Sequence, residues 1–300
     1  MNPILDVRNI TKQYEGHRAV DGVSFSVGPS RIFGLLGPNG AGKTTSIRMI
    51  MDIIAPDSGT ILFSGQPRTS TTNAAIGYLP EERGLYRKMS VRDHLVFLAE
   101  IRGMRKSDAL PRIDRWLDRL GLEDWAAKKV EELSKGMQQK VQFIGTVINE
   151  PPLLILDEPF SGLDPINTNL LKELIAEASA NGTAIIFSTH VLEQAEKLCD
   201  DICLIKSGRV ILNGPLADVR EQFRRPTFWV KGRDVAALKD LDMVRGIEST
   251  GDAHVVELTD KSHLDGFLEA ALARSALTEF RRHEPDLNSI FMEAVEHATG

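Results

Sequence analysis

The segment that most constrains this chain is GLLGPNGAGKTTSIRM, Gly34 to Met49, which has four glycines in the ten residues from Gly34 to Lys43. Glycine loses more backbone freedom on folding than any other residue, so this density indicates that a bare backbone is needed there. The apolar run RIFGLLG precedes the loop, and a helical pattern over residues 46–54 follows it. The segment therefore predicts a buried strand, a glycine loop and a helix in direct succession.

Residues 37–44, GPNGAGKT, fit the phosphate-loop pattern G-x-x-x-x-G-K-[ST]. Glycines let backbone N–H groups converge on phosphate oxygens, and the helix N-terminus adds a positive partial charge. In such a loop Lys43 reaches the β- and γ-phosphates and the Thr44 hydroxyl binds Mg²⁺. A chance match, expected in roughly one chain in a hundred of this size, is the alternative. The pattern predicts a nucleotide and Mg²⁺ as ligands, with the nucleotide held by Gly37, Pro38, Asn39, Gly40, Ala41, Gly42, Lys43, Thr44 and Thr45.

A second apolar strand, LLILDEP, ends in the carboxylates Asp157 and Glu158. By itself such a pair is more often a solvated strand end or a helix cap. After a phosphate loop it predicts a metal residue, Asp157, and a general base, Glu158, that polarises an attacking water.

Strand patterns alternate with helical patterns through most of the chain, which is typical of an α/β fold with a parallel sheet covered on both faces. ILDVRNITKQY and AVDGVSFSV instead alternate as an antiparallel pair, and residues 85–148 are mainly helical. Near Arg224 the pattern changes to the order βαββαβ, that of a ferredoxin-like split βαβ unit, followed by an amphipathic helix. We predict two domains, residues 1–221 and a small α+β domain of residues 222–300.

The charge distribution argues against nucleic acid or an anionic membrane surface as a partner. Residues 221–300 carry 10 Lys and Arg against 15 Asp and Glu, while the rest of the chain is nearly balanced. The start, MNPILDVRN, lacks the apolar core of a signal peptide, and no apolar run approaches the ~20 residues that span a bilayer. Cys199 and Cys203 have no accompanying Cys or His cluster and predict two small buried hydrophobes in a reducing setting.

The segment LSKGMQQK, Leu133 to Lys140, resembles the signature sequence LSGGQ of ATP-binding-cassette (ABC) ATPases. Ser134 and Gly136 match the pattern at the spacing that offers a hydroxyl and backbone N–H groups to a γ-phosphate. Lys135 and Met137 depart from it, standing where the family has glycine and glutamine. Without the resemblance, Ser134 would be an ordinary helix N-cap.

The resemblance covers residues 3 to about 220 and implies further roles. Tyr14 matches the aromatic residue that stacks on adenine, although it would otherwise be an ordinary strand tyrosine. Asp164, in SGLD, matches the loop that crosses the dimer interface. His190, in FSTH, matches the switch histidine at the γ-phosphate, although a lone histidine there would more often be a hydrogen-bonded strand-end residue. Lys43, Glu158 and His190 are then the implied catalytic residues.

The family's metal-binding glutamine is replaced by Glu81 in YLPEERGLY. A carboxylate keeps an oxygen for Mg²⁺ but adds a negative charge beside the phosphates. We expect Glu81 to bind the metal together with Thr44 and Asp157, with Arg83 moderating the charge. The alternative is that Glu81, Glu82 and Arg83 form a solvated loop.

The resemblance implies an ABC-cassette fold with a parallel-sheet core, an antiparallel β-subdomain and a helical subdomain. It also implies a dimer with a second copy or a related ATPase subunit, and a separate membrane permease contacted through the helical segment. Tyr86 and Phe97 are candidate contact residues there; either is also compatible with a core position, and the core position is favoured for Phe97.

The motifs EERGLY and LSKGMQQK and the tail with PDLNSIF together resemble the ATPase subunits of sodium and antibiotic exporters. We therefore expect a cytoplasmic protein, peripheral at the membrane through its partner. The alternative function is that of a soluble ABC ATPase in translation or assembly. The single cassette and the absence of a long coiled coil or basic patch argue against it.

Overall fold

The computed structural model describes residues 2–82 and 84–299. The chain forms two compact units, one of residues 2–82 and 84–216 and the other Ala217–Glu296. The first unit contains β1 (Leu5–Tyr14), β2 (His17–Val27), β3 (Ile32–Leu36), α1 (Lys43–Ile50), β4 (Ser58–Phe63), β5 (Gln66–Pro67), β6 (Ile76–Leu79), α2 (Val91–Ile101), α3 (Lys106–Arg119), α4 (Lys135–Val147), β7 (Leu153–Asp157), α5 (Pro165–Ala180), β8 (Ala184–Thr189), α6 (Leu192–Leu198), β9 (Asp201–Lys206) and β10 (Arg209–Pro215).

The central sheet of the first unit has six strands in the order β10-β9-β3-β8-β7-β6. All neighbours are parallel except β10, which pairs antiparallel with β9. Strands β3, β7 and β8 are buried along their whole length, as expected for apolar strands covered on both faces. The register pairs Leu36 with Thr189 and Asp157 with Ser188, which brings the carboxyl ends of these three strands to one edge.

A second, antiparallel sheet has the order β2-β1-β4-β5. Its alternating apolar side chains, among them Leu5, Val7 and Val23, share one hydrophobic core with the central strands β3, β7 and β8. The sheet therefore fixes the β1–β2 hairpin against the strands that carry the glycine loop. Helix α1 begins at Lys43 and ends at Ile50, so the prediction of a helix over 46–54 is wrong at both ends.

Specific backbone conformations and contacts set the two ends of α1. Gly42 precedes it with φ 108°, which allows the helix to start directly from the glycine loop. At the other end Asp52 adopts φ 59°, and the Arg68 guanidinium donates to Ile50 O and pairs with Asp52.

The helical segment predicted over residues 85–148 contains α2, α3 and α4. Ser90 caps α2 by accepting a hydrogen bond from the Asp93 N–H at 3.1 Å. Trp116 of α3 meets Phe143 of α4 edge to face, with ring centroids 6.1 Å apart. Within residues 2–82 and 84–299, no helix is both long enough and apolar enough to span a membrane.

Unit Ala217–Glu296 is formed mainly by β11 (Thr227–Arg233), β12 (Val244–Thr250), β13 (Ala253–Leu258), α8 (Leu264–Arg274) and β14 (Ala276–Arg282), with α7 (Leu216–Gln222) and α9 (Leu287–Thr299) at its two ends. The sheet order β12-β13-β11-β14 is antiparallel throughout, with the first and third strands in the centre, as in a ferredoxin-like fold. The first predicted helix of this unit is a single 3₁₀ segment, Val235–Asp240.

Cys199 and Cys203 are free and buried, as the sequence predicts for small hydrophobes. Burial raises the pKa of both thiols, that of Cys203 to about 12. Thiols with raised pKa are poor nucleophiles and metal ligands, so these two residues serve packing.

Candidate functional site: a phosphate loop beside two strand-end carboxylates

The glycine loop between β3 and α1 is held between two backbone carbonyls. A Cβ placed on Gly37 would lie 2.1 Å from Ile205 O, and one on Gly42 would lie 2.4 Å from Ala19 O. Both glycines also have positive φ, at 147° and 108°. No side chain fits at either position, so the loop keeps a bare backbone whose N–H groups are available to an anion.

Lys43 is the first residue of α1 and is only 6% exposed. Its ammonium donates to Gly37 O at 2.7 Å and Pro38 O at 3.3 Å, and it lies 3.7 Å from Glu158 Oε1. Burial lowers the pKa of Lys43, while the Glu158 and Asp157 carboxylates act in the opposite direction. The cation is thus held at the loop with acceptors that phosphate oxygens can replace.

Asp157 ends β7 and is 1% exposed. Its Oδ2 accepts a hydrogen bond from the Thr44 hydroxyl at 3.1 Å, and burial raises the pKa of this carboxyl. Within the described part of the chain, Oδ1 is buried without a hydrogen-bond partner. A hydroxyl and a carboxylate oxygen are ligands that Mg²⁺ prefers, so these two residues fit a divalent cation.

Across residues 2–82 and 84–299, no group of three or more His, Cys, Asp or Glu side chains could hold a metal ion. Mg²⁺ in nucleotide sites usually keeps several water and phosphate ligands, so a site with few protein ligands such as Thr44 and Asp157 still suits it.

Glu158 follows β7 in a left-handed conformation, φ 48°. Its N–H donates to Ser188 O at 3.0 Å, which ties this strained residue to β8. The carboxylate Oε1 lies 2.8 Å from His190 Nδ1, and Oε2 accepts a bond from the Thr189 hydroxyl at 3.4 Å. The sheet order places β8 between β3 and β7, so His190 reaches Glu158 at the edge where the glycine loop also lies.

A cleft of about 430 Å³ lies over the loop and brings most of the predicted residues together. Its walls are formed by Tyr14, His17, Ala19, Asn39, Gly40, Ala41, Gly42, Lys43, Thr44, Thr45, Glu81 and Glu158. His17 and Ala19 of β2 line the cleft although no sequence pattern indicated them. His17 pairs with Tyr14, and the register of β1 with β2 shifts between Lys12 and Gln13, beside Ala19, an irregularity that a regular two-residue period does not reveal.

Tyr14 ends β1 and pairs with His17 across the hairpin turn. Its side chain remains 46% exposed, and Lys12 Nζ lies 5.9 Å from the centre of its ring. An aromatic face open to the cleft is suited to stacking on a planar base.

Glu81 is exposed and lines the cleft, and its charge contributes to the electrostatic field at Lys43. Its position is compatible both with a ligand role and with the solvated loop. Arg83, expected to moderate its charge, lies outside the described residues.

Ser134, Gly136 and Asp164 do not occur among the described residues that line the cleft. Ser134 caps α4 by accepting a bond from Met137 N at 3.3 Å, so the simple reading of this residue as an N-cap is confirmed. Asp164 caps α5, accepting from Asn167 N at 2.9 Å. Gly136 lies against Asn167, whose Nδ2 would be 3.0 Å from a Cβ at that position.

Tyr86 and Phe97, the candidate partner contacts, lie together at the helical segment with ring centroids 5.2 Å apart. Tyr86 is 52% exposed, whereas Phe97 is half-buried. His94, beside Tyr86, is fully buried, and burial lowers its pKa to about 4.

Two family models match the chain: "ABC transporter" over residues 20–161, and "ATP-binding protein DrrA1-3-like, C-terminal domain" over residues 214–295. The ABC transporter ATP-binding protein YhaQ of Bacillus subtilis (strain 168) is 40% identical, over 97% of this chain and 98% of its own length. Nod factor export ATP-binding protein I of Paraburkholderia xenovorans (strain LB400) is 33% identical, over 96% of this chain and 95% of its own.

A solved ATP binding subunit of an ABC transporter has a TM-score of 0.69 at 34% identity, covering 73% of this chain and 93% of its own. The structure of cbiO1 from Clostridium perfringens, part of the ABC transporter complex cbiONQ, has a TM-score of 0.65 at 30% identity, covering 74% and 92%. Together with the glycine loop, the strand-end carboxylates and the sheet order, these similarities show that the chain belongs to the ABC transporter ATP-binding proteins.

Proposed function

We propose that this chain binds and hydrolyses ATP as a subunit of an ABC exporter and transmits dimer closure to a separate membrane-spanning subunit. The observation that carries the hydrolase proposal is the position of Glu158. Its carboxylate lies 3.7 Å from the phosphate-loop lysine and 2.8 Å from His190, and both Lys43 and Glu158 line the same cleft.

Glu158 is the general base in this proposal. The hydrogen bonds at its two carboxylate oxygens orient the side chain, so that it can align a water and accept its proton during attack on the γ-phosphate. His190 is 48% exposed at its side chain and contacts Glu158 through Nδ1, so in this proposal its ring acts at the γ-phosphate beside the base. Lys43 balances the charge that spreads over the phosphate oxygens.

Thr44 and Asp157 are the residues that would hold Mg²⁺, which when bound neutralises phosphate charge and orients the leaving group. The buried, unpartnered Asp157 Oδ1 supports this assignment, because a buried carboxylate oxygen without a partner is costly.

We assign Glu81 as a further metal residue on the strength of its place in the cleft wall. Glu81→Gln restores the residue usual in the family and removes one negative charge near Lys43. We expect a shifted Mg²⁺ dependence of turnover. Unchanged Mg²⁺ dependence and turnover would contradict the assignment and favour the solvated loop.

A working site requires a second chain in this proposal. Ser134, Gly136 and Asp164 match family positions that act across a dimer, and none of the three is among the described cleft residues. The signature of one subunit would thus complete the site of the other. Stabilisation of the closed pair by ATP is a population shift, because ATP binds that state better.

Transport is proposed from two relatives: Nod factor export ATP-binding protein I acts in export by its name, and cbiO1 is part of a transporter complex. In this proposal the protein is cytoplasmic and peripheral at the membrane. It contacts its permease through the helical segment, where the exposed Tyr86 ring is a candidate contact.

The first test compares the wild type with Glu158→Gln in a Mg²⁺-dependent ATPase assay. We expect the substitution to lower kcat by about 10³-fold while fluorescent ATP still binds, since it removes the base and keeps the loop. Equal turnover in both proteins would contradict the role of Glu158.

The transport part is tested by tagging Glu158→Gln protein and recovering it with ATP from detergent-solubilised membranes of the source cell. Recovery of a multi-span membrane protein in stoichiometric amount supports the exporter proposal. Recovery of ribosomes or soluble partners alone would leave the ATPase chemistry in place and favour the rival class.

A further inference from the structure

Two glutamines of α4 connect this helix to the strands that carry the site. Gln139 and Gln142 are 8% and 7% exposed and lie one helical turn apart. The side-chain amide of Gln139 donates to Pro159 O at 3.0 Å, and that of Gln142 donates to Pro80 O at 3.3 Å. Both acceptors lie outside the helical segment 85–148, so the two bonds join it to the sheet core.

Each acceptor belongs to a proline next to a glutamate of the cleft. Pro80 directly precedes Glu81, and Pro159 directly follows Glu158. The proline ring fixes φ, so a bond to its carbonyl restrains the neighbouring backbone more than a bond to a freer residue would. The amides therefore act on the backbone from which both glutamates project.

The packing of α4 alone does not require glutamine at position 142. Among the residues that the structure describes, Gln142 Oε1 is buried without a hydrogen-bond partner. An orphaned buried acceptor destabilises the fold, and an apolar side chain of similar length would avoid that cost. What the amide provides is its donor, and that donor is directed at Pro80 O.

We infer that Gln139 and Gln142 are positioning residues that connect the helix starting at Ser134 with Glu158 and Glu81 of the same chain. The inference rests on the proposed ATPase function. Ser134 caps the N-terminus of α4, and the two glutamines lie five and eight residues after it on the same helix. A nucleotide held at Ser134 by the partner subunit's loop thereby acts on both glutamates of this chain's own site through one short helix.

The test uses Gln139→Met and Gln142→Met, since methionine keeps the length and flexibility of the side chain but cannot donate. Lys140→Met is the matched control, because the Lys140 ammonium, on the same helix, donates to Leu120 O at 3.2 Å within the helical segment. We expect each test variant to lower kcat about 5- to 30-fold, with the KM for ATP within about twofold. The control should retain wild-type kcat within about twofold.

A double-mutant cycle separates positioning from general destabilisation. If Gln142 acts through Glu81, then Gln142→Met should have no further effect on kcat or on Mg²⁺ dependence in a Glu81→Ala background, where no side-chain oxygen remains to be positioned. Hydrogen exchange of the nucleotide-free protein gives a readout besides activity. We expect faster exchange at residues 79–82 in Gln142→Met and at residues 158–161 in Gln139→Met, with neither segment altered in Lys140→Met.

Additive effects in the cycle, or equal losses in the test variants and the control, would overturn the inference. So would unchanged exchange in both segments. A wild-type protein that neither binds nor hydrolyses ATP would instead contradict the proposed function, so the two failures are distinguishable.

Discussion

The two compact units of this chain differ in what they bury. Among the described residues, the first unit buries the polar or charged side chains Lys43, Ser46, His94, Gln139, Gln142, Thr146, Asp157, Ser179, Ser188 and Thr189, whereas Ala217–Glu296 buries Ser275 as its one such residue. Ser275 is also satisfied locally, since its hydroxyl donates to Ala271 O at 2.7 Å. The core of that unit is built from apolar residues such as Phe228, Val256 and Phe267.

Buried polar groups reduce stability unless they are paired, so their concentration in one unit calls for a reason. Lys43, Asp157, Ser188 and Thr189 meet at the carboxyl edge of the central sheet, and the two buried glutamines lie on the helix that packs towards it. The first unit therefore bears a stability cost associated with its site. The second unit has an apolar core, and we expect no comparable stability cost there.

The largest effect on this difference is expected when a side chain is added to a glycine of the loop. We expect Gly42→Ala to destabilise the first unit by about 3 kcal/mol or more and to abolish nucleotide binding, because the new Cβ would collide with Ala19 O. Gly40→Ala is the matched control: Gly40 shares a positive φ, 77°, but a Cβ there would meet no atom of the described residues within 4 Å, its chain neighbours aside.

Urea unfolding should show a loss of only about 1 kcal/mol for Gly40→Ala, which is the cost of the left-handed backbone alone. Equal losses at Gly40 and Gly42 would show that the backbone conformation, rather than the Ala19 carbonyl, requires glycine.

A smaller effect is expected from the buried imidazole of His94. In the described part of the chain neither ring nitrogen has a hydrogen-bond partner, and burial lowers the pKa to about 4 from 6.5. The His94 imidazole therefore takes up a proton at a higher pH in the unfolded chain than in the folded protein. The associated stability is fully present above pH 6.5 and is lost as the pH falls towards 4, by about 2 kcal/mol at pH 5.

The substitution His94→Leu removes this titration. We expect the variant to be at least as stable as the wild type at pH 7.5 and to lose less stability between pH 6.5 and 5. Chemical denaturation of both proteins across this range measures the difference. If both proteins lost the same stability as the pH falls, His94 would bind a proton as readily in the folded state as in the unfolded chain.

The smallest effect should follow from deleting residues 222–300. If the site belongs wholly to the first unit, ATP affinity should stay within about twofold of the full chain. Titration with a fluorescent ATP analogue measures this, and thermal unfolding checks that the shortened chain folds. A folded deletion variant with clearly weaker ATP binding would contradict the predicted domain boundary.

Local patterns determined much of the site in advance. The spacing of Gly37, Gly42 and Lys43 specifies a strand, a loop and a helix start within one continuous segment, so it could be read without knowing any other part of the fold. The order of strands and helices likewise indicated both sheets of the first unit and the ferredoxin-like order of the second. Errors arose at contacts that no local pattern shows, as at the end of α1, where Arg68, the residue after β5, donates to Ile50 O.

Only the tertiary structure decided which side chains meet. The contact between His190 and Glu158 depends on β8 lying between β3 and β7, and no local pattern encodes that strand order. His17 likewise lines the cleft only because the hairpin packs beside the glycine loop. The two glutamine bonds to Pro80 and Pro159 also join segments far apart in sequence. A sequence specifies local geometry through backbone sterics and periodicity, whereas the partner of each side chain is set by packing in three dimensions.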